Sequence, residues 1–223
     1  NYDAILIGIG LGETSEIRIP GENLRHCIGA VEFIEQLRMK HHRVQVGKKV
    51  IVLGGGNTSM DAASESARLG AEKVMLCYRR SKEEMRAYAF EYDLASRAGV
   101  KALFNAAPVK IMGKSKVEGV KFIRTRTKKG KLEIIKGSEF VEDCDMVIKA
   151  TGQAKQVSLL SLIPHLELRD NGRIVVAKNY QTKSPKYFAA GDAANGGKEV
   201  VNAAAEGKAA AKGIHEFLMA NKV

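Results

Sequence analysis

Cysteine is scarce in this chain of 223 residues, and tryptophan is absent. The three cysteines, Cys27, Cys77 and Cys144, lie far apart and form no C-x-x-C pair. Their spacing argues against a zinc knuckle, a disulfide framework and a redox-active dithiol. A reducing, cytoplasmic setting fits this cysteine usage best.

Long apolar runs and a leader pattern are also lacking. No stretch reaches the ~20 apolar residues that a membrane-spanning helix needs, and the first residues carry no basic segment followed by an apolar one. No G-x-S-x-G or H-E-x-x-H motif is present. We therefore predict no membrane partner and no metal site, and we name no catalytic side chain. The histidines, interpreted as surface or loop residues, are His26, His41, His42, His165 and His215.

The formal net charge of +11 raises the question of nucleic-acid binding. Many cations lie between Lys110 and Lys136, where they alternate with apolar residues around a Lys129-Gly130-Lys131 turn. This pattern predicts an antiparallel hairpin with one solvated face. Aromatic residues that could stack on bases are nearly absent there, so we expect no nucleic-acid partner. A basic face for an acidic partner protein stays open.

The most informative stretch runs from Val50 to Arg80. It reads as an apolar strand, a glycine turn, a helix of small residues and a second apolar strand. Gly54 lets the chain turn tightly out of the first strand, and Gly56 lets a pyrophosphate approach the backbone. The helix predicted from Asn57 would present its N-terminal N–H groups to the phosphates.

The end of the second strand, Val74 to Cys77, discriminates between cofactors. An NAD site usually places an acid there, whereas this chain has Arg79 and Arg80. Guanidinium groups bind phosphate oxygens in a bidentate way, so this pair favours NADP(H) over NAD(H). Ser59 replaces the third glycine of the common fingerprint and is still small enough for close helix–strand packing. The alternative is a solvated basic edge on an ordinary parallel sheet.

The remaining chain contains further strands that run into glycine turns. The other predicted elements are a strand in Tyr2–Gly10, a helix from Ala30 to Lys40, a helix carrying Glu83 to Arg97, a strand at Lys101–Phe104, a strand at Met146–Lys149 before Ala150-Thr151-Gly152, a short hairpin within Leu166–Ala177, a strand at Tyr187–Ala190 before Gly191-Asp192, and an alanine-rich helix from about Lys198 to Met219.

Four segments along nearly the whole chain resemble one family. They are YDAILIGIG with IPGENL, VIVLGGGNTSMDAA with YRRSKEEM, the ATG at 150–152, and FAAGDAANGGKEVVNAAAEGKAAAKGI. In combination they are similar to the flavoprotein family that includes the small chain of NADPH-dependent glutamate synthase and the flavin-containing part of dihydropyrimidine dehydrogenase. The opening IGIG, Arg86 within MRA and the ending IHEFL mildly favour the pyrimidine branch, and both branches stay open.

The resemblance implies an α/β fold in which a Rossmann-like NADPH-binding domain, with a parallel sheet and an antiparallel β-meander, is inserted into a partial FAD-binding domain. The predicted bounds are 45–152 for the NAD(P)H-binding domain, with 1–44 and 153–223 for the FAD-binding part.

The resemblance also implies the cofactor-binding residues. The pyrophosphate loop would comprise Gly54, Gly56, Asn57, Thr58 and Ser59. The 2′-phosphate would be held by Arg79, Arg80 and Arg86. The FAD region would involve Gly191, Asp192, Lys198, Glu199 and Val200, and the turn glycines Gly8, Gly10 and Gly152 are further candidates.

The implied activity is hydride transfer from NADPH to FAD, followed by electron transfer to an iron–sulfur or FMN-type subunit or domain. The family's FAD domain starts with its own strand, glycine loop and helix, which have no counterpart in this sequence. We therefore expect a C-terminal fragment that binds NADP(H), binds FAD weakly or not at all, and is inactive by itself. Two alternatives stay open: a disulfide reductase-like enzyme, against which the missing C-x-x-C argues, and a non-catalytic dinucleotide-binding or assembly module.

Overall fold

The computed structural model describes residues 2–40 and 43–221. Its elements in chain order are β1 (Ile5–Ile7), β2 (Cys27–Gly29), α1 (Ala30–Met39), β3 (Lys49–Leu53), α2 (Asn57–Arg68), β4 (Lys73–Tyr78), α3 (Ala89–Arg97), β5 (Lys101–Phe104), β6 (Ala106–Met112), β7 (Gly119–Lys128), β8 (Lys131–Ile134), β9 (Phe140–Asp143), β10 (Met146–Lys149), α4 (Val157–Leu160), β11 (Tyr187–Ala189), α5 (Asp192–Asn195) and α6 (Val200–Ala220).

The chain divides into two compact units. One comprises residues 13–152, and the other combines residues 1–12 with 153–223. Residues 13–40, which fall within the range predicted for the FAD-binding part, lie in the same compact unit as the NAD(P)H-binding range, and their assignment to FAD binding stays a prediction. They belong to this unit because β2 pairs with β10 at one edge of its sheet, and α1 packs against α2.

A five-stranded parallel sheet in the order β2-β10-β3-β4-β5 forms the middle of the 13–152 unit. The residues of β3 after Lys49 are buried, as their unbroken apolar run predicts. Val50 and Val52 pack in a core with residues of α1, α2 and α3. Ile51 and Leu53 pack in a second core with residues of the antiparallel strands. Because successive side chains of a strand point to opposite faces, β3 is covered on both sides.

The antiparallel sheet of the same unit has the order β6-β7-β8, and β9 also pairs with β7. β7 and β8 form the predicted basic hairpin, with Lys128 opposite Lys131. Arg124 and Arg126 are exposed whereas Thr125 between them is buried. One face of this hairpin is therefore solvated, which confirms the prediction.

In the other unit, β1 and β11 form a two-stranded parallel sheet. Ile7, Leu160, Ile174, Ala189 and Ala193 form its buried core. α6 is 21 residues long, and its buried residues are Ala210 and Gly213. The strands here are short, and most of this long helix is not covered within the described parts of the chain.

The helix predicted from Glu83 is shorter than expected, because α3 begins only at Ala89. The N–H groups of Arg86 and Ala87 both donate to the Gly55 carbonyl oxygen, each at 3.0 Å. Residues 83–88 are thus held at the glycine turn as a loop, and the helix prediction is wrong for them.

Most other predicted elements are confirmed to within two residues. They include the strands of the parallel sheet at 50–53, 74–77, 101–104 and 146–149, the strand at 187–190, and the helices from 30, 57 and 198. The opening strand is shorter than predicted, at Ile5–Ile7. The hairpin expected within 166–177 is reduced to one bridge, between Leu168 and Ile174.

Candidate functional site

The turn after β3 is formed by three consecutive glycines. The Gly54 N–H donates to the Cys77 carbonyl oxygen of β4 at 3.0 Å. A Cβ on Gly54 would overlap the Ala150 carbonyl oxygen, which follows β10. The turn therefore packs directly on the ends of both neighbouring strands. This is the carboxyl edge at which open α/β sheets bind ligands.

The next two glycines differ in their surroundings. A Cβ on Gly55 would overlap the ring of Tyr78 at the end of β4, whereas a Cβ on Gly56 would meet no heavy atom within 4 Å. The space at Gly56 is therefore open to a phosphate group, and Gly55 is required for packing. Gly55 was missed from the sequence, where its only signal is an aromatic residue at the end of the second strand.

Gly56, in extended conformation, is the N-cap of α2. The buried Ser59 hydroxyl donates to the Gly56 carbonyl oxygen at 2.5 Å. Asn57 Oδ1 accepts the Tyr88 N–H at 3.0 Å, which joins the start of the helix to the following loop. Thr58 is exposed. The positive end of the helix dipole thus lies next to the open space at Gly56.

The antiparallel sheet fixes the backbone of the predicted phosphate-binding arginines. The Arg79 carbonyl oxygen accepts the Thr125 hydroxyl at 2.7 Å, and the Arg80 carbonyl oxygen accepts the Asn105 N–H at 3.1 Å. Arg86 is held at the glycine turn by its own N–H. The side chains of Arg79 and Arg86 are exposed, and within residues 2–40 and 43–221 neither guanidinium has an ion-pair or hydrogen-bond partner.

Arg80 is different, because its guanidinium is already engaged. Its Nη1 donates to Glu84 Oε1 at 2.8 Å and to Thr127 Oγ1 at 3.3 Å. The hydrogen bond from Thr127, and then that from Arg80, hold the pKa of Glu84 below its ordinary value. The carboxylate is therefore charged at neutral pH. Glu84 was missed from the sequence, although an acid four residues after an arginine is a pairing signal.

Gly152 follows β10, and its carbonyl oxygen accepts the Ser15 N–H at 2.9 Å. Just before it, Lys149 Nζ lies 2.7 Å from Glu22 Oε1, with side chains only 12% and 9% exposed. Burial alone would raise the pKa of Glu22. The hydrogen bond from Lys149 and those from two backbone N–H groups reverse this effect and leave the pKa below its ordinary value. This ion pair anchors the loop before β2 to the end of β10.

The other predicted residues belong to the unit formed by 1–12 and 153–223. Because β1 and β11 are parallel, the glycines after β1 and Gly191 after β11 lie at the same edge. A Cβ on Gly8 or Gly10 would meet no heavy atom within 4 Å. Asp192 Oδ1 accepts the Lys198 N–H at 3.1 Å. Accessible backbone at Gly8 and Gly10 and the Asp192 carboxylate therefore lie at the same ends of β1 and β11.

Glu206 of α6 holds the turn that contains Gly191. Its Oε2 accepts the Gly191 N–H at 2.9 Å and the Asn195 side-chain amide at 3.0 Å. Glu199 and Val200 at the start of the same helix are exposed, Val200 to 80%. Glu206 was missed from the sequence, where its only signal is an acid within an alanine-rich stretch.

The described histidines, His26, His165 and His215, are exposed, while His41 and His42 lie outside the described residues. Across residues 2–40 and 43–221, no three potential ligands among His, Cys, Asp and Glu come close enough to hold a metal ion. None of the helices in the described parts of the chain combines the length and apolar character that a membrane crossing requires.

The three cysteines are free thiols. Burial raises the pKa of Cys27 to about 11 and that of Cys144 to about 12, and it also raises the pKa of the almost completely buried Cys77. A thiolate is the reactive form of cysteine, so none of the three is activated as a nucleophile at neutral pH.

The model of one protein family, pyridine nucleotide-disulphide oxidoreductase, matches residues 1–207. The chain belongs to this family. It is 36% identical over 241 aligned residues to the small chain of NADPH glutamate synthase from Escherichia coli K12, covering 98% of this chain and 51% of that relative. It is also 34% identical to the beta subunit of the NADP(+)-dependent formate dehydrogenase of Moorella thermoacetica, covering 98% of this chain and 32% of the subunit.

These matches confirm the resemblance to the glutamate synthase small chain. The family name describes oxidoreductases that use a pyridine nucleotide, and both relatives are named as one chain of a larger enzyme. The chain spans about half of the first relative and about a third of the second.

Solved structures of low sequence identity share the fold. The crystal structure of T. acidophilum thioredoxin reductase superimposes with a TM-score of 0.75 at 21% identity, covering 97% of this chain and 66% of that one. Mycobacterium tuberculosis FprA in complex with NADPH gives a TM-score of 0.77 at 17% identity, covering 99% and 65%. The predicted α/β class, with a parallel and an antiparallel sheet, is thereby confirmed.

Proposed function

We propose that this chain is the NADPH-binding, electron-input part of a flavoprotein oxidoreductase. The observation that carries the proposal is the glycine turn of the 13–152 unit. Its backbone is open at Gly56, it leads directly into α2, and its Gly55 carbonyl oxygen holds Arg86 beside it. A pyrophosphate would lie at Gly56 and the start of α2, where N–H groups and the helix dipole favour negative charge.

Selectivity for NADPH over NADH is part of the proposal. Where an NAD site places an acid at the end of the second strand, this chain has Arg79, whose guanidinium is exposed and has no ion-pair or hydrogen-bond partner among the described residues. A free guanidinium suits the 2′-phosphate of NADPH, which NADH lacks.

The second unit would contribute to FAD binding. Gly8 and Gly10 leave the backbone accessible, and Asp192 offers a carboxylate near the exposed start of α6. FAD, when bound, supplies the acceptor for a hydride from the reduced nicotinamide. Lys198, Glu199 and Val200 at the start of α6 would place the positive end of a long helix towards the negative charge of reduced flavin. The residues of this turn therefore fit the cofactor, and Glu206 would keep them in place.

We further propose that the electrons pass to a partner subunit or domain of iron–sulfur or FMN type, in a reducing cytoplasmic compartment. The support is that two relatives are named as single chains of larger enzymes and that the three cysteines are free. A flavoprotein part of dihydropyrimidine dehydrogenase type is the closest alternative. A non-catalytic dinucleotide-binding module is the second, because the chain spans only part of its relatives.

Titration calorimetry of this chain with NADPH, NADH and FAD, each alone, tests the proposal. We expect NADPH to bind at least tenfold more tightly than NADH, which corresponds to about 1.4 kcal/mol. Equal affinities would overturn the selectivity for NADPH, and no binding of either nucleotide would overturn the site itself. Dye reduction by NADPH with added FAD then separates an electron-input module from a non-catalytic one.

A further inference from the structure

We propose that Glu84 is a specificity-determining residue that withdraws Arg80 from cofactor recognition. In this arrangement Arg79 and Arg86 bind the 2′-phosphate, and Arg80 stabilises the loop that contains Glu84. The inference rests on the proposed NADP(H) site, and it divides three arginines that look equivalent in the sequence into two different roles.

The position of Glu84 is fixed from several sides. Thr127 Oγ1 lies 2.9 and 2.8 Å from its two carboxylate oxygens, and the Ser81 N–H donates to Oε2 at 3.3 Å. Arg80 Nη1 completes the set at 2.8 Å from Oε1. A carboxylate with this many donors is held in place, so it stays beside Arg80 when another anion approaches.

The three guanidinium groups differ in availability. The side chain of Arg80 is 27% exposed and is paired with Glu84, whereas Arg79 and Arg86 are exposed and have no side-chain partner in the described ranges. Backbone hydrogen bonds nevertheless fix both of the free arginines, through Thr125 and through Gly55. They combine a defined backbone position with a free fork of donors, which a phosphate requires.

The negative charge of Glu84 also disfavours binding of a phosphate by Arg80. A phosphate that reached Arg80 would come close to the Glu84 carboxylate and would be repelled by it, since like charges interact strongly where water is partly excluded. It would also compete for donors that Glu84 already occupies. Arg80 therefore adds little net attraction for the 2′-phosphate as long as Glu84 is charged.

The decisive variant is Glu84→Gln, because it removes the charge and keeps an oxygen that can accept from Thr127 and Ser81. We expect it to raise the preference for NADP+ over NAD+ by about three- to tenfold, on the scale of the net contribution of one ordinary hydrogen bond. Glu83→Gln is the matched control, because Glu83 is exposed, carries the same charge and has no contact with Arg80. It should leave the preference within about twofold.

Arg80→Gln completes the test. By itself it should change the preference for NADP+ by less than about threefold, whereas Arg79→Gln should remove most of it. In the Arg80→Gln background, Glu84→Gln should no longer increase the preference. Calorimetry with NADP+ and NAD+ gives all the ratios, and thermal melting shows that each variant is folded.

The results separate this inference from the proposed function. If the unchanged chain prefers NADP+ but Glu84→Gln lowers that preference or leaves it unaltered, Glu84 does not withdraw Arg80 and the inference is wrong. An Arg80→Gln variant that loses the preference as completely as Arg79→Gln also overturns it. If the unchanged chain binds neither nucleotide, the proposed function fails and the inference fails with it.

Discussion

At the scale of single residues, substitution by alanine should have opposite consequences at Gly55 and at Gly56. Gly55→Ala should destabilise the fold by about 1–3 kcal/mol, because its Cβ would overlap the ring of Tyr78. Gly56→Ala should leave stability nearly unchanged, because its extended backbone suits alanine and its Cβ would meet open space. The same Cβ would stand where the pyrophosphate approaches and should weaken NADPH binding by roughly 1–3 kcal/mol.

Thermal melting and nucleotide titration of both variants measure the two effects separately. A Gly56→Ala variant that melts like the unchanged chain and still binds NADPH normally would show that the phosphate does not lie there. A stable Gly55→Ala variant would show instead that Tyr78 moves aside.

Residues of the site differ in how far sequence predicts them. Gly54, Gly56 and Arg79 follow from local pattern, since a strand, a turn and a helix start define their places. Gly55 and Glu84 do not, because their roles depend on Tyr78 and Thr127, which come from elements elsewhere in the chain. The spacing of Arg80 and Glu84 gives a local signal for their pairing, but the contacts with Tyr78 and Thr127 are tertiary and are not encoded in a local pattern.

At the scale of elements, the end of β10 depends on a buried charge pair. Lys149→Met would leave the Glu22 carboxylate buried without its counter-ion, since Glu22 is only 9% exposed. We expect a loss of about 3–5 kcal/mol in the free energy of unfolding. Chemical denaturation measures it, and the double variant Glu22→Gln with Lys149→Met is the control. It should recover only part of the loss, because no unpaired charge remains but the glutamine amide offers one oxygen to the N–H groups of Ile17 and Arg18.

Failure of the double variant to recover stability would mean that Lys149 acts through packing of its aliphatic stem rather than through its charge.

Most elements around this pair are predictable from sequence, because an apolar run such as that of β3 is compatible with few structures other than a buried strand. The loop 83–88 is the exception. Its sequence is compatible with a helix, and two hydrogen bonds to Gly55 override that preference.

At the scale of the whole molecule, the sequence predicts the family and the α/β class, whereas the compact unit that contains residues 13–40 is known only from the structure. Helix α1 and strand β2 carry no mark of the unit to which they belong. Their placement follows from pairing with β10, more than a hundred residues later in the chain. Pairing at such a distance is not visible in local periodicity, so motifs alone do not give the boundary between the two compact units.

The two units should also differ in stability. Within the described residues, the 13–152 unit has a five-stranded sheet buried on both faces of β3, whereas the other unit has two strands of three residues each and a 21-residue helix with two buried residues. Two-stranded sheets are marginal by themselves, and local opening follows the amount of buried apolar contact.

In native-state hydrogen exchange followed by mass spectrometry, we expect amides of β3 and β10 to be at least about tenfold better protected than those of β1 and β11, a difference of ~1.4 kcal/mol. Saturating NADPH should add protection around α2 and leave β1 and β11 unchanged, because the proposed nucleotide site lies wholly within residues 13–152. Equal protection in both units without ligand would show that they unfold as one cooperative body and that strand number and burial do not set their relative stability.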